Sequence, residues 1–189
     1  MWIIHYNLFA LTWSAFLLLW LLLAGWGKPT AQAESVGSRL LHFVLTALVY
    51  ILLFYPTPLP GLNRRFLPAT PLLAGLGFAL TALGLGFCVW ARLQLGRNWS
   101  ARVEVKRGHE LIRRGPYRLV RHPIYSGLLL ATLGTGLAVG RWCAPLALLL
   151  ALLTFLYKIR REERFMLQTF GAGYEELRRQ VKMLIPFVW

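Results

Sequence analysis

The chain has 189 residues, 57% of them apolar, with 21 Lys or Arg against seven acidic residues and a net charge of +14. That length favours a single domain, and the apolar share exceeds the roughly 45–50% of an ordinary soluble domain. The charge alone would suit a nucleic-acid binder. Apolar runs this long and numerous exclude a soluble one and predict an integral membrane protein instead. Cys88 and Cys143 both lie inside apolar runs, which excludes a disulfide scaffold and a cysteine zinc site, since both need clustered ligands or partners.

A bilayer-spanning helix needs about 20 mostly apolar residues and tolerates about 17. In chain order, five segments are predicted as spans: 7–26, 40–55, 71–90, 123–139 and 143–157. Residues 1–10 carry no Lys or Arg, so the basic start of a cleavable leader is missing and the first run is read as a retained span. The fourth and fifth spans are separated only by Gly140, Arg141 and Trp142, which predicts a tight helical hairpin. Gly84 with Gly86, and Gly134 with Gly136, fall within spans, where small residues most often allow close helix packing. The fold class expected is all-α, with about five transmembrane helices and a cytoplasmic C-terminal helix.

Positive residues mark the cytoplasmic side of short loops. With the N-terminus outside, the first loop, the third loop and the C-terminal tail hold 18 of the Lys and Arg residues. Only Arg64, Arg65 and Arg141 fall outside. The predicted orientation therefore places the N-terminus outside and the C-terminus in the cytoplasm. Six of the seven acidic residues, Glu104, Glu110, Glu162, Glu163, Glu175 and Glu176, sit in the same third loop and tail. Positive-inside bias does not account for them. Both segments adjoin the hairpin, so they can meet in space, and the chemistry is expected there.

The third loop ends His109-Glu110-Leu111-Ile112, Gly115-Pro116-Tyr117 and Arg121-His122-Pro123-Ile124-Tyr125-Ser126-Gly127. Gly115-Pro116 predicts a turn, and Pro123 suits the first turn of the fourth span, where its missing N–H is unpaired anyway. The free N–H groups after it, beside Arg121 and His122, form a potential anion site. A plain membrane-entry sequence with Tyr117 and Tyr125 at the headgroups explains the spacing equally well. The tail continues the fifth span as a helix, with Lys158 and Glu162 four apart on one face. Met166, Phe170, Tyr174, Leu177, Val181 and Leu184 form an apolar stripe for packing or for the membrane surface. No dinucleotide-binding glycine motif, P-loop or HExxH is present. His109 and His122 have no further ligands clustered with them, so no metal is expected.

These residues resemble the signature of the isoprenylcysteine carboxyl methyltransferase family. The similarity runs from about Leu95 to the end and includes Glu162-Glu163, Phe170-Gly171, Tyr174 and Ile185-Pro186-Phe187. Sterol-type membrane reductases carry a related RHP-Y-G element, and the downstream Glu-Glu favours methyl transfer. The resemblance implies S-adenosylmethionine as methyl donor and a lipophilic or lipidated acceptor drawn from the bilayer, with membrane lipids as surroundings and no nucleic acid. It implies a cofactor site lined by His109, Glu110, Leu111, Ile112, Tyr117, Arg121, His122, Pro123, Ile124, Tyr125 and Glu162, with Arg121 meeting the donor's carboxylate. Lys158, Arg161, Glu162 and Glu163 are the expected catalytic group. Family members place an Arg about four residues before this Glu, where the present chain has Lys158, a point charge rather than a planar fork.

The expected organisation is one membrane domain over 1–189. Three spans occupy 1–90, and 91–189 form the cofactor-binding and catalytic half. Methylation of a carboxylate needs no base, whereas an amine acceptor would need a proton acceptor such as Glu162 or Glu163. Phospholipid N-methylation therefore stays open beside carboxyl methylation, and an NADPH-dependent reductase stands third.

Overall fold

The computed structural model describes the backbone of residues 2–24, 30–33, 36–96, 104–106 and 111–188, and side chains within 7–23, 36–38, 40–96 and 111–188. The apolar runs form helices because straight-chain and small residues dominate them and their backbone groups must pair internally in lipid. They give α1 (Trp2–Ala24), α2 (Val36–Phe54), the short α3 (Pro60–Asn63), α4 (Pro71–Leu95), α5 (Pro123–Val139), α6 (Cys143–Phe170) and α7 (Ala172–Gln180). A 3₁₀ turn, Gly115–Arg118, precedes α5.

Local signals set the boundaries. Thr70 caps α4 by accepting a hydrogen bond from the Leu73 amide, and Pro71 opens the helix. Pro123 opens α5 as expected. Gly140, at φ +61°, closes α5 in the left-handed region and donates its N–H to Gly136 O at 2.8 Å. Gly171, at φ +50°, separates α6 from α7.

Among the described residues, α2, α4 and α6 are long and apolar enough to cross a membrane. The apolar stretches Asn7–Leu23 and Pro123–Val139 are shorter, close to the lower limit for a span. One feature was not anticipated: Thr30–Ala33 (β1) pairs antiparallel with Glu104–Lys106 (β2). This two-stranded ribbon links the first and third loops of an otherwise helical fold.

The hairpin of α5 and α6 is present, but the closest approach of α5 is to α4. A Cβ added to Gly77 would lie 2.5 Å from Gly134 O, and one added to Gly134 would lie 2.5 Å from Gly77 O. Gly84 and Gly127 oppose each other in the same way one level further along. Between the two levels, Thr81 Oγ1 donates to Gly77 O and sits 3.2 Å from Thr135 Oγ1. Small residues thus let two backbones touch, which is how helices gain packing energy where no hydrophobic drive separates them from lipid. Gly86 takes no part, since a Cβ there would meet open space. On the other side of α5, α6 and α2 complete a core containing Val49, Leu53, Tyr125, Ala147, Ala151 and Phe155. Trp13 ties α1 to α5 through Nε1 donating to Thr135 Oγ1 at 3.0 Å.

The bundle has two chemically distinct ends. At one, Gly140 O accepts from the amides of Phe66 and Leu67, and Arg65 bridges to Arg141 through the backbone. Arg64, Arg65 and Arg141 gather there. At the other end lie the C-termini of α4 and α6 and the N-terminus of α5, together with the paired carboxylates.

Candidate active site

The apolar part of α6 ends at Tyr157, and its charged continuation runs alongside the entry to α5. Helical spacing places Lys158 and Glu162 on one face, with Glu163 one position round toward the loop. Lys158 and Glu163 are each 8% exposed. From the other side come Arg121, His122 and Tyr125.

The two carboxylates differ sharply in their surroundings. Glu163 is saturated: its Oε1 accepts from Arg121 Nε at 2.9 Å and pairs with Arg121 Nη2 at 2.7 Å. His122 Nε2 lies 3.2 Å from the same oxygen, and Arg178 Nε lies 3.5 Å from Oε2. Glu162 is more open, with 26% of its side chain exposed against 10% for Glu163. The Tyr125 phenol donates to Glu162 Oε1 at 2.5 Å, and His122 Nδ1 lies 3.6 Å from Oε2. His122 is therefore held between the two carboxylates by both ring nitrogens. Burial disfavours its imidazolium, but hydrogen bonds to Glu162 and Glu163, reinforced by their charges, outweigh that and raise its pKa above the ordinary histidine value. Burial, then the Glu162 charge, pushes the Tyr117 phenol up, so it stays neutral.

A strap from the end of the chain fixes this geometry. The amides of Arg121 and His122 donate to Lys182 O and Met183 O at 2.8 and 3.1 Å. Ser126 Oγ donates to Leu184 O at 2.6 Å, and Arg121 Nη1 to Val181 O at 2.5 Å. Arg121 is thus occupied by Glu163 and by tail carbonyls, so any direct contact with a ligand would displace one of these bonds. The expected apolar stripe is interrupted: α7 ends at Gln180, and only Tyr174, Leu177 and Leu184 are buried. They pack against the protein and hold the strap in place.

Other expected site residues are distributed unevenly. His109 and Glu110 lie outside the described residues. Leu111 and Ile112 are half-buried ahead of the 3₁₀ turn. Pro123 is buried, and Ile124 O accepts from Cys88 Sγ at 3.2 Å, so this backbone faces α4. Arg161 bonds the Tyr157 hydroxyl at 3.0 Å and lies over its ring. Among the described residues, no three His, Cys, Asp or Glu side chains group as a metal site.

Sequence reasoning missed two participants. Phe155 stacks on Tyr125 with ring centres 5.1 Å apart, supporting the phenol from the membrane side. Arg92 is 2% exposed and donates to the carbonyls of Gly96 and Leu23, tying α4 to α1. Its signal was available: Gly77, Thr81, Gly84 and Cys88 run at steps of four, three and four, and Arg92 is the next step on that buried face.

The phospholipid methyltransferase family model matches residues 73–173, which run from α4 into α7. Protein-S-isoprenylcysteine O-methyltransferase A of Arabidopsis thaliana is 30% identical over 169 residues, covering 84% of this chain and 81% of the relative. The B form from the same plant is 28% identical over 168 residues with the same coverage. A solved structure of a eukaryotic intramembrane Ras methyltransferase, isoprenylcysteine carboxyl methyltransferase, matches with a TM-score of 0.50 and 25% identity. That match covers 82% of this chain and 54% of the solved one. The helical bundle and these similarities define an integral membrane methyltransferase. The chain belongs to the isoprenylcysteine carboxyl methyltransferase family.

Proposed function

We propose that the chain methylates the carboxylate of a prenylcysteine-like or otherwise lipophilic acceptor, with S-adenosylmethionine as donor. The observation that carries this reading is the open carboxylate of Glu162, gripped by Tyr125 and His122 at the end of apolar helices. The described residues suit the donor: a carboxylate with an exposed edge and the phenol oxygens of Tyr117 and Tyr125 complement a sulfonium and an ammonium group, while His122, held between the two carboxylates, orients Glu162. Tyr117, His122, Tyr125 and Glu162 would hold it, with Leu111 and Ile112 entering from the loop and Pro123 and Ile124 forming the floor. Arg121 would act by fixing Glu163 and the tail. When bound, the donor supplies an electrophilic methyl group, and its transfer to a carboxylate forms an O–C bond, breaks the C–S bond and moves no proton.

The remaining work is positioning, which can be worth roughly 7–11 kcal/mol. Lys158, buried one turn before Glu162, would orient the acceptor carboxylate, while Arg161 guides it from the surface. Glu163 would keep His122 in place. The same reading treats 1–189 as one domain with five spans, its first 90 residues shaping access from the bilayer. It puts the active-site end in the cytoplasm, as the 18 to three division of cations favours.

The test is transfer of labelled methyl from S-adenosylmethionine to a farnesyl-cysteine analogue and to phosphatidylethanolamine, using the reconstituted enzyme. Base-labile label on the farnesyl compound is expected. Base-stable label on headgroup nitrogen would move the assignment to phospholipid methylation, the activity named by the matching family model. No transfer to either would sink the proposal.

A further inference from the structure

A cavity lies within the bundle on the membrane side of the site, lined by residues of α1, α2, α5 and α6. It is open on one side, and the void within it and at its mouth together amounts to about 400 Å³, of which about 40 Å³ is room for the centre of a water-sized sphere. Phe155 forms part of its wall and also stacks on Tyr125, whose phenol bonds Glu162. One ring therefore separates the cavity from the reactive cluster.

The lining is mostly apolar, as a hydrocarbon chain would need, but it is not uniform. Thr46 of α2, Thr132 of α5 and Thr154 of α6 all face it. Thr132 and Thr154 are 4% and 2% exposed. A threonine in a helix ordinarily returns its hydroxyl to the carbonyl four residues back. Thr12, Thr81, Thr135, Thr154 and Thr169 all do so, at 2.7–2.8 Å. Thr46 does not: its Oγ1 is buried without a hydrogen-bond partner. A buried hydroxyl left without a hydrogen bond is costly. A plain hydrocarbon filling the cavity would leave that cost in place, and a ligand oxygen at this depth would remove it.

We propose that the acceptor taken up here is a lipophile carrying a hydrogen-bonding oxygen within its apolar part, recognised by the Thr46 hydroxyl with Thr132 and Thr154 beside it. The reactive end of such a molecule would reach Glu162 and Lys158 past Phe155, and in that respect the inference rests on the methyl-transfer reading. The selectivity itself is a binding property and can be measured without turnover.

The experiment uses the full chain in lipid nanodiscs and two S-prenylcysteine probes that differ by one hydroxyl in mid-chain. Equilibrium dissociation constants are measured for the wild type, Thr46→Val and Thr46→Ser. The hydroxylated probe is expected to bind about tenfold more tightly, the scale of one buried hydrogen bond. Thr46→Val should erase the preference and Thr46→Ser should retain it, with all three proteins melting within a few degrees of one another.

Equal affinities in the wild type would overturn the proposal, as would a preference that survives Thr46→Val or a failure of either probe to bind. Should Thr46→Val fail to fold, the wild type and Thr46→Ser still decide whether the oxygen is preferred. A hydroxyl preference without methyl transfer would support this inference and count against carboxyl methylation. Methyl transfer to both probes with equal KM would do the reverse.

Discussion

The Tyr125 phenol donates a 2.5 Å hydrogen bond to Glu162 Oε1, joining the first turn of α5 to the charged extension of α6. An O–H bonded to a carboxylate at this length belongs to the strong, charge-assisted class. It holds the more open of the two carboxylates in one orientation, with Phe155 beneath the phenol ring.

Tyr125→Phe should therefore preserve the fold and lose catalysis. The ring and its stacking on Phe155 remain, and only the donor is removed. A hydrogen bond to a charged group is worth about 1.5–3 kcal/mol, so kcat/KM for methyl transfer should fall roughly 10- to 100-fold. Kinetics with a labelled methyl donor and a melting curve on the same preparation check both halves. An unchanged kcat/KM would show that Glu162 needs no such anchor.

The neighbouring carboxylates should respond oppositely to amide substitution. Glu163 neutralises Arg121, whose side chain is 7% exposed, and also contacts His122 and Arg178. Glu163→Gln leaves a buried guanidinium facing only carbonyls, and breaking a buried pair in this way costs about 3 kcal/mol or more. A clear drop in melting temperature is expected. Glu162→Gln keeps an acceptor for Tyr125 at the more exposed of the two positions, so it should melt closer to the wild type than Glu163→Gln does and lose activity. If the two variants reversed these effects, the division between a structural and a functional carboxylate would be wrong.

The helices were legible from the apolar runs because backbone satisfaction in lipid leaves little choice. Their ends were less so: α4 continues to Leu95 and α6 to Phe170, since nothing in the charged stretches breaks a helix before Gly96 and Gly171. The pairing of β1 with β2 could not be read from four and three residues of weak β-propensity. The meeting of the third loop with the tail followed from their common attachment to the hairpin. The strap did not, because its bonds use backbone carbonyls of Val181, Lys182, Met183 and Leu184, which carry no side-chain signature. Glycines marked close packing without naming the partner helix.

That packing makes its own prediction. Gly134→Ala would drive a methyl group against Gly77 O and the Thr81 amide, atoms of a backbone that cannot rotate away. Overpacking of this kind costs about 1–3 kcal/mol, and separating α4 from α5 should also disturb the entry to α5. Gly86→Ala, where the added methyl meets nothing, is the matched control and should be neutral or slightly stabilising through helix propensity. Equal melting temperatures for the two variants would contradict the observed approach of the helices.

Stability should also depend on pH through His122. Its folded-state pKa is raised above the ordinary value of 6.5 because Glu162 and Glu163 outweigh the cost of burial. The folded chain then holds this proton more tightly than the unfolded chain does. The resulting stabilisation is complete below about pH 6.5 and is lost as pH rises through the raised value. Melting temperature should accordingly fall as pH rises above about 6.5 and through that raised value, a range in which ordinary carboxylates are already ionised. His122→Gln keeps a hydrogen-bonding side chain but cannot titrate, so its melting temperature should be lower at pH 6 and change less across the same range. Parallel slopes for wild type and variant would assign the pH dependence to another group.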